Sequence, residues 1–147
     1  MLTRGFGFCV TDRRGFTLAE ILVAVGIFAI LAAIAVPQFL AFLPASRLNG
    51  ATRQVYSELM WARSKAVSEN GSYVVTFPNP QTMLIAGSTT RTIEIQTEYP
   101  GVAVTSSAGT ITFNSRGTTD VAPTITLTNS AGTRTVTLRI TGSASIS

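Results

Sequence analysis

The chemistry of this chain is concentrated in one carboxylate. Glu20 opens an apolar run, and from Ile21 to Val36 no side chain is charged or able to hydrogen-bond. An acid at the centre of such a segment costs about 2.5–3.5 kcal/mol on insertion scales, so it asks for a partner. Arg13, Arg14 and Gly15 come just before it. The rest of the catalytic inventory is thin. Histidine is absent, which removes the commonest general base and the commonest metal ligand. Glu94 and Glu98 are four apart and could form a paired-carboxylate glycosidase site. In a strand and turn they read more simply as solvated charges. Asp120 is the lone aspartate beyond the apolar run, so triads and metal sites are hard to build. Gly5-Phe6-Gly7 precedes no strand–helix unit and makes no phosphate loop. No enzyme activity, cofactor or metal is expected.

The string Arg13-Arg14-Gly15-Phe16-Thr17-Leu18-Ala19-Glu20 with its apolar run resembles the class III signal of type IV pilins and of type II secretion pseudopilins. The resemblance implies that a prepilin peptidase cuts after Gly15. It implies that Phe16 becomes the N-methylated first residue and that Glu20 is the assembly residue. Cleavage would leave a cationic amine on Phe16, one helical turn from Glu20. The least costly arrangement in lipid is an ion pair with an amine at the same depth, its own or a neighbouring subunit's. A neighbour's amine would set the registry of helices in a filament. The alternative is that Glu20 lies at headgroup level and snorkels.

These residues must be positioned by a leader, a helix and a head. Residues 1–15 carry Arg4, Arg13 and Arg14 without a long apolar core and read as a cleaved leader. The net charge is +4 over 147 residues. Removing the leader, with its three arginines and Asp12, leaves about +2 on the side chains, so the basic balance says little about nucleic acid. Cys9, the only cysteine, lies in the leader. A mature chain would hold no disulfide, and its head would be stable by packing alone. The paired arginines also suit a twin-arginine export signal, with Ala33-Ile34-Ala35 as a conventional cleavage site. Against that reading, Glu20 opens the apolar region, and the run continues through Phe39, Leu40, Phe42 and Leu43.

Residues 16–43 are expected to form the transmembrane and assembly helix. At about 1.5 Å per residue it would reach about 42 Å, longer than a hydrocarbon core of about 30 Å. Pro37 removes one backbone hydrogen bond, so a kink or local melting is expected near Ala33. Pro44 marks a bend at the exit. Arginines flank the run on both sides, Arg13 and Arg14 before it and Arg47 and Arg53 after. The leader pair is nearer and favours a cytoplasmic N-terminus and a periplasmic head.

Residues 44–71 read as an amphipathic continuation, with Ser46 as N-cap. Leu48, Ala51, Val55, Leu59, Ala62 and Ala66 form one stripe. Asn70-Gly71 closes the helix, with Gly71 at the left-handed cap. Trp61 is read as core or helix–sheet packing. Over residues 72–147 the period changes to two. Runs around Tyr73–Phe77, Met83–Ile85, Ile93–Ile95, Val102–Val104, Ile111–Phe113, Ile125–Leu127 and Val136–Ile140 predict an antiparallel β head with one wet face per sheet. Pro100-Gly101 predicts a turn, and Asn129 to Gly132 a hairpin.

Three head motifs are similar to those of the protein H (GspH/FimT-type) group. They are Ala62 to Asn70 followed by a strand, Ile111-Thr112-Phe113-Asn114-Ser115-Arg116-Gly117, and the closing strand Thr135 to Ile140 before Gly142. The implied fold is α+β: a long N-terminal transmembrane helix packed on a small antiparallel two-sheet β head. The implied function is that of a minor pseudopilin of a type II secretion system, a structural subunit of a periplasmic pseudopilus. A minor pilin that primes a type IV pilus is the alternative. The implied partners are the prepilin peptidase, other pseudopilins or pilins, and an inner-membrane assembly platform. Some pilus members bind DNA through Gly-Arg-x-Arg after the last strand. Here that stretch is Gly142-Ser143-Ala144-Ser145, without either arginine. Arg116, Arg134 and Arg139 are the remaining candidates for a weak phosphate contact, and phosphate binding needs them clustered.

Overall fold

The structure, a computed structural model, describes residues 16–147. The leader and Gly15 lie outside the described residues. The chain divides after Gln38 into two compact units.

One helix, α1 (Leu18–Ser68), runs for 51 residues. Up to Phe42 every residue is exposed, and among the described residues this is the one helix long and apolar enough to cross a membrane. An all-round apolar surface has no inward face to bury in its own chain. The character changes at Leu48. Leu48, Ala51, Val55, Leu59, Ala62 and Ala66 are all buried, with Thr52 beside them. This is the stripe that the spacing predicts. Thr52 avoids a polar penalty by donating its hydroxyl to the Leu48 carbonyl at 2.7 Å.

Expectations about breaks and caps in this helix are corrected. The helix does not melt near Ala33, and it stays helical through Pro37 and Pro44. Each proline loses one donor, but the flanking Ala, Leu and Phe residues hold the backbone helical. Ser46 is therefore mid-helix and caps nothing. At the C-terminal end the left-handed residue is Asn70 (φ 48°), not Gly71. Gly71 donates its N–H to the Ala66 carbonyl and Asn70 donates to the Val67 carbonyl. That is a Schellman closure, with asparagine in the position glycine usually takes.

The head is built from β1 (Tyr73–Asn79), β2 (Thr82–Ala86), β3 (Arg91–Glu94), α2 (Ile95–Glu98), β4 (Ala103–Ser106), β5 (Thr110–Phe113), β6 (Thr124–Asn129), β7 (Gly132–Leu138) and β8 (Ala144–Ile146). They form two four-stranded sheets, ordered β3-β2-β1-β5 and β4-β6-β7-β8. All pairs are antiparallel. The chain crosses between the sheets at β4, returns for β5 and crosses again for β6. Inward residues of both sheets and the buried stripe of α1 share one core, which includes Tyr73, Val75, Met83, Ile85, Ile111, Phe113, Ile125, Leu127, Val136 and Leu138. Burial at every second position fits the alternation of these strands.

Three head boundaries differ from the sequence expectation. The strand at Ile93 stops at Glu94, and Ile95 is buried by the helical turn α2 instead. The Gln81 carbonyl accepts the Ile95 N–H at 2.8 Å. Both conformations bury Ile93 and Ile95, so the period alone could not separate them. The last predicted strand ends at Leu138, leaving Ile140 61 % exposed. A turn forms there, with the Gly142 N–H donated to the Arg139 carbonyl at 2.7 Å. That turn returns the chain as β8, a strand the alternation did not predict. Both expected turns form. The Val102 N–H reaches the Tyr99 carbonyl at 3.2 Å with Gly101 at φ 87°, the geometry of a type II turn after proline. Asn129 pairs with Gly132 across Ser130-Ala131.

Candidate functional site

At the N-terminal end of α1 the backbone geometry is defined by Thr17. Its Oγ1 accepts the Glu20 N–H at 3.2 Å, and its carbonyl accepts the N–H groups of Glu20 and Ile21. Thr17 is therefore the N-cap, and Thr17-Leu18-Ala19-Glu20 has the spacing of a capping box. The processing-signal expectation for these residues does not include the cap, although the Thr-x-x-Glu spacing carries it. The cap places Glu20 in the first turn, where the positive end of the helix dipole favours a carboxylate. Phe16 is 79 % exposed, and Phe28 further along is 72 % exposed. Phe16, Glu20, Ala24 and Phe28 border a shallow groove along the helix. One carboxylate thus stands on a wholly apolar helical surface. Gly15 lies outside the described residues. Pro37 lies within the exposed part of α1, with helix on both sides.

Two structural clusters of charged side chains tie α1 to the head. At the C-terminal end of α1, Glu69 Oε1 accepts Lys65 Nζ at 3.0 Å. Its Oε2 accepts the Tyr73 hydroxyl at 2.7 Å and the Ser88 hydroxyl. The Ser88 and Tyr73 hydroxyls, with Lys65, hold the Glu69 carboxyl well below the usual range, at about 2. The Glu69 bond raises the Lys65 ammonium in turn. Trp61 stands edge-on to Tyr73 with ring centroids 5.9 Å apart. Its ring is covered by the Arg91 guanidinium at 4.7 Å, and Arg91 also donates to Glu58 at 3.3 Å. Trp61 is thus helix–sheet packing with a cationic lid.

Arg63 forms the second cluster. It donates from Nε to the Gly117 carbonyl at 3.0 Å and from Nη2 to the Thr141 carbonyl at 3.3 Å. It therefore ties α1 to the turn after β5 and to the turn before β8. Those two turns touch. A Cβ on Gly142 would meet the Gly117 carbonyl oxygen, and both glycines have positive φ, 76° and 74°. Nothing in the helical pattern separated Arg63 from the other charges off the stripe, because its partners come from turns 54 and 78 residues away.

The candidate phosphate contacts are not brought together as a group of three. Arg116 and Arg139 are exposed on these adjoining turns, while Arg134 is exposed near the opposite end of β7. Five residues of strand are about 16 Å. Glu94 and Glu98 are likewise engaged separately, Glu94 by Thr82 and Glu98 by Gln54. Asp120 is pushed up by burial, but the Thr112 N–H at 2.9 Å and nearby backbone N–H groups outweigh this and hold it low. It pins a turn to β5. Among the described residues no three of Asp, Glu, Cys and His are grouped to hold a metal ion.

The sequence pattern of type II transport protein GspH matches residues 51–144, well over half of the chain. The chain belongs to the GspH family. The prokaryotic N-terminal methylation motif matches residues 11–36, the stretch that holds Gly15, Phe16 and Glu20. No curated protein matches the chain in sequence. Among solved structures, the type IV minor pilin FimU of Pseudomonas aeruginosa matches in two crystal forms. In one the TM-score is 0.60 at 16 % identity, covering 72 % of this chain and 92 % of that one; in the other it is 0.56 at 17 %, covering 68 % and 92 %. The minor pseudopilin EpsH of the Vibrio cholerae type 2 secretion system matches with a TM-score of 0.56 at 10 % identity, covering 69 % of this chain and 96 % of that one. At such identities the likeness is one of fold. This GspH-family chain is thus pilin-like in fold. Families of this kind are structural subunits, and the methylation motif implies prepilin processing and filament assembly.

Proposed function

We propose that this chain is a minor pseudopilin of a type II secretion system. In this reading the peptidase cuts after Gly15, and Phe16 becomes the methylated first residue of a helix held in the inner membrane. The head lies in the periplasm. An assembly platform then moves the helix from lipid into a bundle of like helices. That transfer is nearly neutral for apolar surface, because lipid and helix bundle are both apolar. Registry then falls to the one polar contact available, the Glu20 carboxylate with a Phe16 amine. Nucleic acid has no part in this reading, since Arg134 stands apart from Arg116 and Arg139.

The observation that carries the reading is the lone carboxylate of Glu20 in the capped first turn of an otherwise apolar, exposed helix, joined to a GspH-type head. Glu20→Ala should leave membrane insertion and head folding intact and abolish recovery of the chain in sheared filaments. Normal incorporation of that variant would remove the registry role. The mature chain should start at Phe16 with one added methyl group, as read by intact mass. A start elsewhere would overturn the cleavage site.

The FimU likeness supports a second reading, a minor pilin that primes a type IV pilus. Deleting the gene separates the two. Loss of a secreted folded protein with normal pili supports the pseudopilin, and loss of pili with normal secretion supports the pilin.

A further inference from the structure

The arginines that follow the apolar run are not explained by orientation, since that rule rests on the leader pair. Arg47 lies four residues beyond Leu43, about 6 Å along the helix. It is exposed and, among the described residues, donates one side-chain N–H, to the Pro100 carbonyl at 3.4 Å. Arg134 comes to the same level from the other direction. Its register partner is the buried Leu127, so it sits on the core-facing side of β7. There the sheet runs past the end of the buried stripe, and Arg134 is exposed in a cleft bordered by Ala45 and Asn49 of α1. The β6–β7 hairpin is fixed at this level, because Asn129 donates Nδ2 to the Pro44 carbonyl at 2.7 Å. Arg134 makes no side-chain hydrogen bond among the described residues. No carboxylate lies on α1 between Glu20 and Glu58, and none lies from Thr124 to Leu138. Glu98, two residues before the Pro100 that Arg47 touches, is engaged by Gln54. On the other side of this basic level come Phe39, Leu40 and Phe42, at 64 %, 57 % and 65 % exposure.

We propose that Arg47 and Arg134 form a collar that docks the base of the head on the phosphates of anionic phospholipids, with Phe39, Leu40 and Phe42 in the acyl boundary. This rests on the membrane-anchored reading above. Apolar side chains followed within about two turns by guanidiniums that form no ion pair among the described residues match the change from acyl chain to phosphate across a bilayer surface. The two arginines come from different elements whose backbones are joined by the Asn129–Pro44 bond, so they are held at one level rather than on independent tethers. The collar holds the head upright on the membrane until the helix is extracted. Leaving the bilayer then requires release of these phosphates.

The test uses the full chain with Cys9→Ser and S130C, labelled at the hairpin tip with a polarity-sensitive fluorophore. It is reconstituted into vesicles of phosphatidylcholine, with or without phosphatidylglycerol. The fluorophore should shift to the blue as phosphatidylglycerol is added, and the shift should fade with salt. Each arginine near an anionic surface contributes about a fivefold preference, so R47Q/R134Q should lower docking about 25-fold. R139Q removes the same charge at the far end of β7 and should change nothing. A shift that ignores phosphatidylglycerol, survives R47Q/R134Q or is lost equally in R139Q overturns the collar. Carbonate extraction of the same vesicles tests the anchor separately. A chain that is extracted overturns the membrane reading and the collar with it. A chain that is retained but shows no lipid dependence overturns the collar alone.

Discussion

The first and second halves of α1 belong to one continuous helix and differ in how their apolar residues are arranged. Through Phe42 the apolar side chains cover every side of the helix and all are exposed. From Leu48 on the buried apolar residues, Leu48, Ala51, Val55, Leu59, Ala62 and Ala66, lie on one stripe, while Val67 off it is exposed. The difference teaches that burial along this helix follows arrangement and not hydrophobicity. A stripe can be covered by two small sheets of the same chain. A cylinder cannot, and needs lipid or other helices on all sides.

The sharpest way to break this comparison is a matched pair of deletions. Leu59→Ala in the stripe should destabilise the head by about 2–5 kcal/mol, while Leu31→Ala in the exposed run should leave head unfolding unchanged. Thermal unfolding of the detergent-solubilised chain reads both. Equal effects would mean that the two halves are stabilised in the same way. Next in size comes the contact that anchors the stripe half to the closing turns. Gly142→Ala places a Cβ against the Gly117 carbonyl at φ 76° and should cost about 1–3 kcal/mol by the same measurement. An unchanged midpoint would show that the two turns can part freely.

The smallest effect sharpens the comparison through pH. Glu69 has a folded value near 2 against an ordinary 4.5. A carboxyl whose folded value is depressed stabilises the fold fully above its ordinary value and loses that contribution as pH falls through the folded one. Head stability should therefore decline between about pH 4.5 and 2, and Tyr73→Phe should flatten that slope. A slope identical in the variant would remove the Tyr73 hydroxyl from the cause.

Much of the site and part of the fold were legible in the chain. Glu20 announces itself as one charge at the head of an apolar run. The buried stripe from Leu48 to Ala66 follows from spacing, and the inward strand residues follow from alternation. The errors fall where local rules admit two answers. Ile95 is buried either as strand or as helical turn. Asn70 and Gly71 are both residues that take a left-handed backbone, and the Ala66 and Val67 carbonyls decide between them. Pro44 and Ser46 look like an end and a beginning, yet the helix runs through both.

The sequence by itself determined the period of each element, the position of the carboxylate and the split between an all-round apolar surface and a striped one. These are properties of neighbours within a few residues, and side-chain periodicity records them directly. Only the tertiary structure decided the strand order β3-β2-β1-β5 and β4-β6-β7-β8, the return of the chain as β8 and the grip of Arg63 on two distant turns. It also decided that Arg134 stands beside α1 at Ala45 and away from Arg139. Each of these joins residues tens of positions apart, and such contacts form only when the whole core closes.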